Sequence, residues 1–451
     1  MFTERLLTAT VKAMAKRRLA LKPTDETMMP APEPGRKYML YIHVPFCQVL
    51  CPYCSFNRYP YREEVARPYF ESLRKEMLML KDLGYDFESL YVGGGTPTIM
   101  LDELCRTIDL ARENFSITEV SSETNPNHLT KPYLEQLTGR VQRLSVGVQS
   151  FDDGLLKQMD RYKKYGSGEQ ILERIAEANG YFDSLNVDMI FNFPSQTEEI
   201  LRSDLEKIAT CGARQTTFSP LYASNGTVRK MASALGELDY DRERRYYHIL
   251  DGYLAGGETP RFQRSTLWTF TRTGSATKTA GGYDQIDEYQ TNYDDYPAIG
   301  SGSITHLNGA LYVNTFSISD YNAAIAAGRM SLMGKSTLSK HDLMDYRFLV
   351  ELYKLRLDKQ RFEREFGCSV ERGLPLEMAF MRVNGAFEVD DERELTLTPK
   401  GRYLVVVLYR QFLSGMNNLR EQAREALPAA ERQLLFGDED ACGAYSGPQT
   451  C

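Results

Sequence analysis

The sequence predicts an α/β protein: an incomplete (β/α)6 TIM-like barrel, with an arm before it and a mainly helical, winged-helix-like domain after it. Three observations predict this. Short apolar runs alternate with amphipathic helical runs from about residue 37 to residue 220, the pattern of a parallel sheet. The alternation stops near Asn225. At about 150 residues per ordinary domain, the length of 451 residues suits roughly three units or one large α/β barrel with appendages.

The elements follow in order. Residues 1–36 form the arm, a basic helix over 8–21 carrying Lys12, Lys16, Arg17 and Arg18, then a Pro-rich linker over 23–34. The barrel core covers 37–228. Its strands are read at 38–44, 89–92, 119–124, 143–148, 186–191 and 215–219. Its helices are read at 65–83, 101–114, 131–137, 168–179 and 197–210. The first has Tyr69, Leu73, Met77 and Leu80 at helical spacing. An extension over 229–335 begins with Tyr-rich helical and irregular sequence. It then makes two short strands across 298–316 with a turn near Asn308-Gly309. Residues 336–430 read as helical, with a β-wing and following helix at 395–402. The last segment, 431–451, reads as a mobile tail.

Composition narrows the function classes. Lys plus Arg number 54 against 61 Asp plus Glu, a net charge of −7, so no global nucleic-acid footprint is expected. No stretch approaches the ~20 apolar residues of a bilayer span, and the N-terminus does not read as a signal peptide. A cytoplasmic protein without a membrane or nucleic-acid partner is expected. Eight cysteines are too sparse for a disulfide scaffold. Three of them lie within eight residues, whereas Cys105, Cys211 and Cys368 stand alone and Cys442 and Cys451 sit in the tail.

The clustered three carry the strongest signal. Cys47-Gln48-Val49-Leu50-Cys51-Pro52-Tyr53-Cys54 directly follows the first strand. Three thiolates on one short loop suit a cubane iron–sulfur cluster, leaving one iron open to a chelating ligand. A zinc site is the alternative and usually takes a fourth Cys or His. Strand ends supply further polar groups. Gly93 to Gly95 allow close backbone approach, Thr96 adds a hydroxyl, and Glu123 and Asp188 offer carboxylates to hydroxyl or ammonium groups. His43 precedes the loop as a ligand neighbour or a satisfied structural histidine. Trp268 and the tyrosines between Tyr240 and Tyr296 would suit either a flat aromatic ligand or the core.

The same residues carry a resemblance. Tyr41-Ile42-His43-Val44-Pro45-Phe46-Cys47, Tyr91-Val92-Gly93-Gly94-Gly95-Thr96-Pro97-Thr98, Glu123-Thr124-Asn125-Pro126, Ser145-Val146-Gly147-Val148-Gln149-Ser150-Phe151 and Val187-Asp188-Met189-Ile190-Phe191-Asn192-Phe193-Pro194 occur in one order. The set resembles the radical S-adenosylmethionine (SAM) superfamily, in its oxygen-independent coproporphyrinogen III dehydrogenase-like branch. The resemblance implies a barrel of the radical SAM type, a [4Fe–4S] cluster on Cys47, Cys51 and Cys54, and one or two molecules of SAM. It implies reductive cleavage of SAM to a 5′-deoxyadenosyl radical, fed by a one-electron donor such as flavodoxin or ferredoxin. It assigns SAM contacts to Tyr41, Phe56, Gly94, Gly95, Thr96, Glu123, Gln149, Arg161 and Asp188.

Departures from the family patterns discriminate among its branches. The coproporphyrinogen dehydrogenases carry a further cysteine two positions after the third, where Phe56 stands here. The haem chaperones carry a His-Asn…Tyr-Trp motif, and none of the five histidines sits in one. Phe191-Asn192-Phe193-Pro194 replaces the usual Tyr-Gly-Leu-Pro. The expected substrate is a tetrapyrrole or another flat aromatic molecule, with haem methylation and ring opening, as in anaerobilin synthases, leading. The alternatives are coproporphyrinogen III oxidation, a class C methyltransferase or cyclopropanase, and a haem-binding chaperone without catalysis.

Overall fold

The computed structural model describes residues 19–222, 231–233, 235–275 and 293–436. Residues 8–18 of the predicted arm helix, with all four of its basic side chains, lie outside the described residues, as do Cys442 and Cys451. Residues 19–21 are not helical, and Lys22–Pro23 instead forms a short strand.

Six parallel strands build the core: β1 (Met39–Val44), β2 (Ser89–Gly94), β3 (Glu119–Thr124), β4 (Arg143–Gln149), β5 (Ser184–Phe191) and β6 (Gln215–Pro220). They lie side by side in chain order, the arrangement of an incomplete barrel. Helices α1 (Glu63–Asp82), α2 (Leu101–Asn114), α3 (Lys131–Leu137), α4 (Gly168–Ala178) and α5 (Glu198–Thr210) connect them. All of β1 is buried, which explains its unbroken apolar run.

Three strands extend the sheet beyond the sequence reading. The hairpin of β7 (Phe262–Arg264) and β8 (Thr269–Arg272) adds antiparallel to β6. The two-residue β9 (Ala298–Ile299) adds parallel to β1 at the opposite edge. The hairpin lies in sequence read as helical and irregular, and its strands are too short to show a clean alternation. The predicted turn near Asn308-Gly309 is present, with both residues at positive φ (50° and 71°). It joins β10 (Ile304–Leu307) to β11 (Ala310–Asn314), and β12 (Leu332–Thr337) then pairs with both β11 and Lys22–Pro23.

Helix α6 (Tyr240–Ala255) follows β6, and α7 (Ile318–Ala326) packs on α1. The C-terminal part runs α8 (Lys340–Tyr353), β13 (Arg356–Asp358), α9 (Lys359–Phe366), α10 (Pro375–Val383), β14 (Phe387–Asp390) and β15 (Glu394–Leu397). The small sheet has the order β13–β15–β14, a winged-helix-like arrangement. Thr398 then caps the long helix α11 (Pro399–Glu425) by accepting from the Gly401 amide, with Pro399 at its first position.

Helix α11 binds to the barrel through buried charge. Arg410 pairs with Glu243 of α6, both buried, and the Tyr403 hydroxyl donates to the same carboxylate at 3.2 Å. Removing the cation would leave Glu243 buried and unpaired. Arg410→Met is therefore expected to lower unfolding free energy by about 3–5 kcal/mol, measured by urea denaturation. A loss below about 1 kcal/mol, the worth of an exposed pair, would show that this contact does not hold the helix.

Candidate functional site

The site forms where β1 and β2 end. Their parallel register sets His43 opposite Gly93 and Val44 opposite Gly94. The chain then folds back on itself, with the Gly95 amide donating to Val44 O and the Thr96 amide to Phe46 O, both at 2.8 Å. A Cβ on Gly95 would lie 2.6 Å from Phe46 O and 2.9 Å from Cys47 Sγ. Gly94 has φ +117°, and a Cβ there would strike the His43 ring. The glycines thus allow β2 to press on the cysteine loop. Phe46–Cys47 pairs with Tyr59–Pro60 and so closes that loop at its base.

Cys47, Cys51 and Cys54 line one cavity of about 410 Å3. Tyr41, Phe56, Gly94, Gly95, Glu123, Gln149, Arg161 and Asp188 line the same cavity. Thr96 does not. It is buried, accepting from Asn125 Nδ2 at 2.7 Å while its hydroxyl faces Cys47 Sγ at 3.8 Å. Asp188 also departs from expectation. It sits inside β5, three residues short of its end, and accepts from Ser145 Oγ and Asn186 Nδ2, each at 2.6 Å. Glu123 accepts from the Gly94 amide and the Tyr91 hydroxyl, both at 3.0 Å.

Gln149 is held at φ 78°, where a register shift ends β4. Asp204 of α5 fixes this corner, accepting from Ser150 Oγ and the Phe151 amide at 2.8 Å each. Burial raises the Asp204 carboxyl to about 7.

His43 is a satisfied structural histidine. Its Nε2 faces the Asn57 carbonyl at 2.9 Å, an acceptor only, so the proton sits on Nε2. Nδ1 then accepts from the Tyr41 hydroxyl at 3.0 Å. Burial lowers its pKa to about 4 and keeps the ring neutral.

Several functional positions were not legible as such. Asn125 joins Thr96 to Arg161, whose Nη2 donates to its Oδ1 at 3.1 Å. Tyr409, Phe412, Met416 and Arg420 of α11 share the cavity without having been singled out, whereas Trp268 and Tyr296, read as candidate lining for a flat aromatic ligand, line it as expected. The ring of Trp268 meets Tyr409 edge-on at 5.5 Å. Of the tyrosines read as candidate lining, Tyr240 is instead exposed and Tyr246 and Tyr247 are core. Tyr283 and Tyr289 lie outside the described residues. Asn192 stands where the family pattern has glycine, and it adopts φ 69°. Arg242 holds it there, donating to Asn192 Oδ1 at 2.9 Å and to Phe193 O and Pro194 O at 2.7 Å each.

Residues 41–208 match the family model of the Radical SAM superfamily. These residues form a radical SAM domain. The chain is 24% identical over 385 residues to the protein named haem chaperone HemW of Bacillus subtilis, spanning 83% of this chain and 99% of that one. It is 29% identical over 348 residues to the oxygen-independent coproporphyrinogen III oxidase of Helicobacter pylori, spanning 72% and 74%. Its fold is that of the coproporphyrinogen III oxidase HemN of Escherichia coli, at a TM-score of 0.69 and 22% identity, covering 84% and 91% of the two chains. No helix of the described residues is long and apolar enough to cross a membrane.

Membership implies a [4Fe–4S] cluster and SAM, and the residues present fit both. Burial and its two cysteine neighbours push the Cys47 thiol up to about 12. Three thiols are thus crowded in a desolvated place that metal coordination would ionise. Arg161 is buried beside them, its Nη1 at 3.5 Å from Cys51 Sγ and its Nε without a hydrogen bond. Among the described residues no carboxylate pairs with it. A buried cation beside Cys51, with one donor left without a partner, calls for a negatively charged occupant.

His128 gives a pH test of the scaffold. It bonds Thr98 Oγ1 at 2.8 Å, and burial lowers its pKa to about 4. Between about 6.5 and 4 the unfolded chain takes a proton there that the folded chain refuses, so this contribution falls as pH falls. The difference in unfolding free energy, wild type minus His128→Gln, is expected to decrease from pH 6.5 to pH 4. Taking the difference cancels the opposite trend from Glu76 and Asp204, whose pKa values burial raises. A difference independent of pH would contradict this.

Proposed function

We propose that the protein acts on a tetrapyrrole and that its reaction is of the oxygen-independent coproporphyrinogen III oxidase type. One observation carries this reading: a single cavity joins the three-cysteine loop to an aromatic wall supplied by both sheet edges and α11. The named relatives support it over haem methylation and ring opening.

In this reading Cys47, Cys51 and Cys54 hold the cluster, and Thr96 orients Cys47. The cluster and SAM supply one-electron cleavage and hydrogen-atom abstraction from the substrate. The Arg161 guanidinium, its two Nη atoms held by Asn125, Gly147 and Cys51, offers its positive charge and its unpartnered Nε to a carboxylate, and Gln149 presents its amide from the corner fixed by Asp204. Glu123 and Asp188 accept from ammonium or hydroxyl groups. Gly94 and Gly95 give backbone access, Tyr41 lies under the ligand and Phe56 at its rim. The aromatic wall takes a flat ring face-on or edge-on and excludes water from a reactive site. Flavodoxin or ferredoxin supplies the electron.

A second reading, haem delivery without turnover, is favoured by the match that spans 99% of a protein named as a haem chaperone.

The deciding assay is anaerobic, with reconstituted protein, SAM, a reductant, and either coproporphyrinogen III or haem. Production of 5′-deoxyadenosine together with carbon dioxide from coproporphyrinogen III is the expected result. Haem binding with neither product would favour the carrier. Loss of the haem Soret band with a methyl mass gain would restore the ring-opening reading and overturn the oxidase.

A further inference from the structure

Charge in the cavity is divided between two sides. The carboxylates Glu123 and Asp188 stand on the β3 and β5 walls and are engaged by neighbouring donors. Besides the buried Arg161, two guanidinium groups stand at the cysteine end, where α11 lies over the loop. Arg58 follows Cys54 by four positions, lines the cavity, and makes no hydrogen bond or ion pair with any described residue. Arg420 lies 4.7 Å over the Phe56 ring and gives one hydrogen bond, to Asn417 Oδ1 at 2.6 Å. Its charge is felt at Tyr41, His43 and Tyr296, which sets it toward the cavity interior. No carboxylate among the described residues pairs with it.

Their neighbour Arg424 shows the contrast. It is tied to Glu421 at 2.8 Å and to the carbonyls of Ser55 and Phe56. Arg424 is therefore structural, clamping α11 to the cysteine loop. Arg58 and Arg420 remain with most of their donors unused, in a half-buried place beside an aromatic wall. A guanidinium fork matches a carboxylate in two parallel bonds, which a water shell does not reproduce.

We propose that Arg58 and Arg420 receive a peripheral carboxylate of the substrate, fixing its rotation so that the acidic edge faces the cysteine loop and the ring lies on the aromatic wall. The proposal rests on the tetrapyrrole reading and adds which edge of the molecule is recognised and by which residues. It also separates the two acids of the site, leaving the SAM carboxylate to Arg161, which lies beside Cys51 and is held from β4 and Asn125.

The test uses the anaerobically reconstituted full chain, with cluster content checked by absorbance. Coproporphyrin III and haem, each as free acid and as methyl ester, are titrated against wild type, Arg58→Gln, Arg420→Gln and the double variant. SAM binding is measured in parallel by equilibrium dialysis. Wild type is expected to prefer the free acid, and each single variant to weaken acid binding by about tenfold, the worth of a charge-assisted hydrogen bond. Ester binding and SAM binding should stay within about twofold, below 0.5 kcal/mol on the same scale. Arg420→Lys should recover only part of the acid affinity, because it keeps the charge and loses the fork. Unchanged acid binding in the double variant would overturn the proposal. A loss confined to SAM would overturn it in favour of the SAM carboxylate. A wild type that binds neither tetrapyrrole in any form would overturn the tetrapyrrole reading itself, and this proposal with it.

Discussion

The close approach of β2 to the turn after β1 is the constraint on which the site depends. It exists because Gly94 and Gly95 carry no Cβ where His43, Phe46 and Cys47 already occupy the space. The parallel register then places the cysteine loop at the carboxyl end of the sheet, where successive strands deliver Glu123 and Gln149. Pre-formed placement matters here because a buried cluster tolerates little rearrangement. The surrounding groups are accordingly fixed by second partners: Asn125 for Thr96 and Arg161, Asp204 for the Gln149 corner, and Asn57 for His43.

The cavity is completed by parts of the chain far from the cysteines in sequence. Asn417 accepts from Ser55 Oγ at 3.0 Å, and Arg424 binds the carbonyls of Ser55 and Phe56. Glu431 accepts from Tyr59 at 2.6 Å and from Ser317 and Ser319, so a second short helix, α12 (Ala429–Phe436), pins the base of the same loop. The C-terminal helices thus roof the site. This division suits a barrel that supplies radical chemistry and a roof that supplies substrate selection.

What the sequence made legible follows from range. Unbroken apolar runs such as Met39–Val44 betray buried parallel strands, and the three-cysteine spacing and glycine ridge betray a local ligand loop. Cys47, Cys51 and Cys54 share one cavity with eight other residues that the resemblance assigned, because most of these lie on, at the end of, or just beyond adjacent parallel strands. What stayed hidden depends on long-range docking. Nothing local marks Tyr409, Phe412 or Arg420 as cavity wall rather than helix surface or core. Thr96 was read as a ligand contact, but its hydroxyl turns inward to Asn125 and Cys47. Asn192 departs from the family pattern, which has glycine at this position. Its positive φ, supported by Arg242, shows an asparagine doing the conformational work of glycine.

The central claim is that this loop holds a cluster with one iron open to SAM inside the cavity. Electron–nuclear double resonance of the reduced, reconstituted protein with SAM labelled at its amino nitrogen and carboxylate oxygens tests it directly. The account predicts strong coupling of both labels to the cluster, reduced when Arg161 is changed to Gln and abolished with the cluster signal when Cys51 is changed to Ser. An intact cluster signal with no coupling to either label would contradict it.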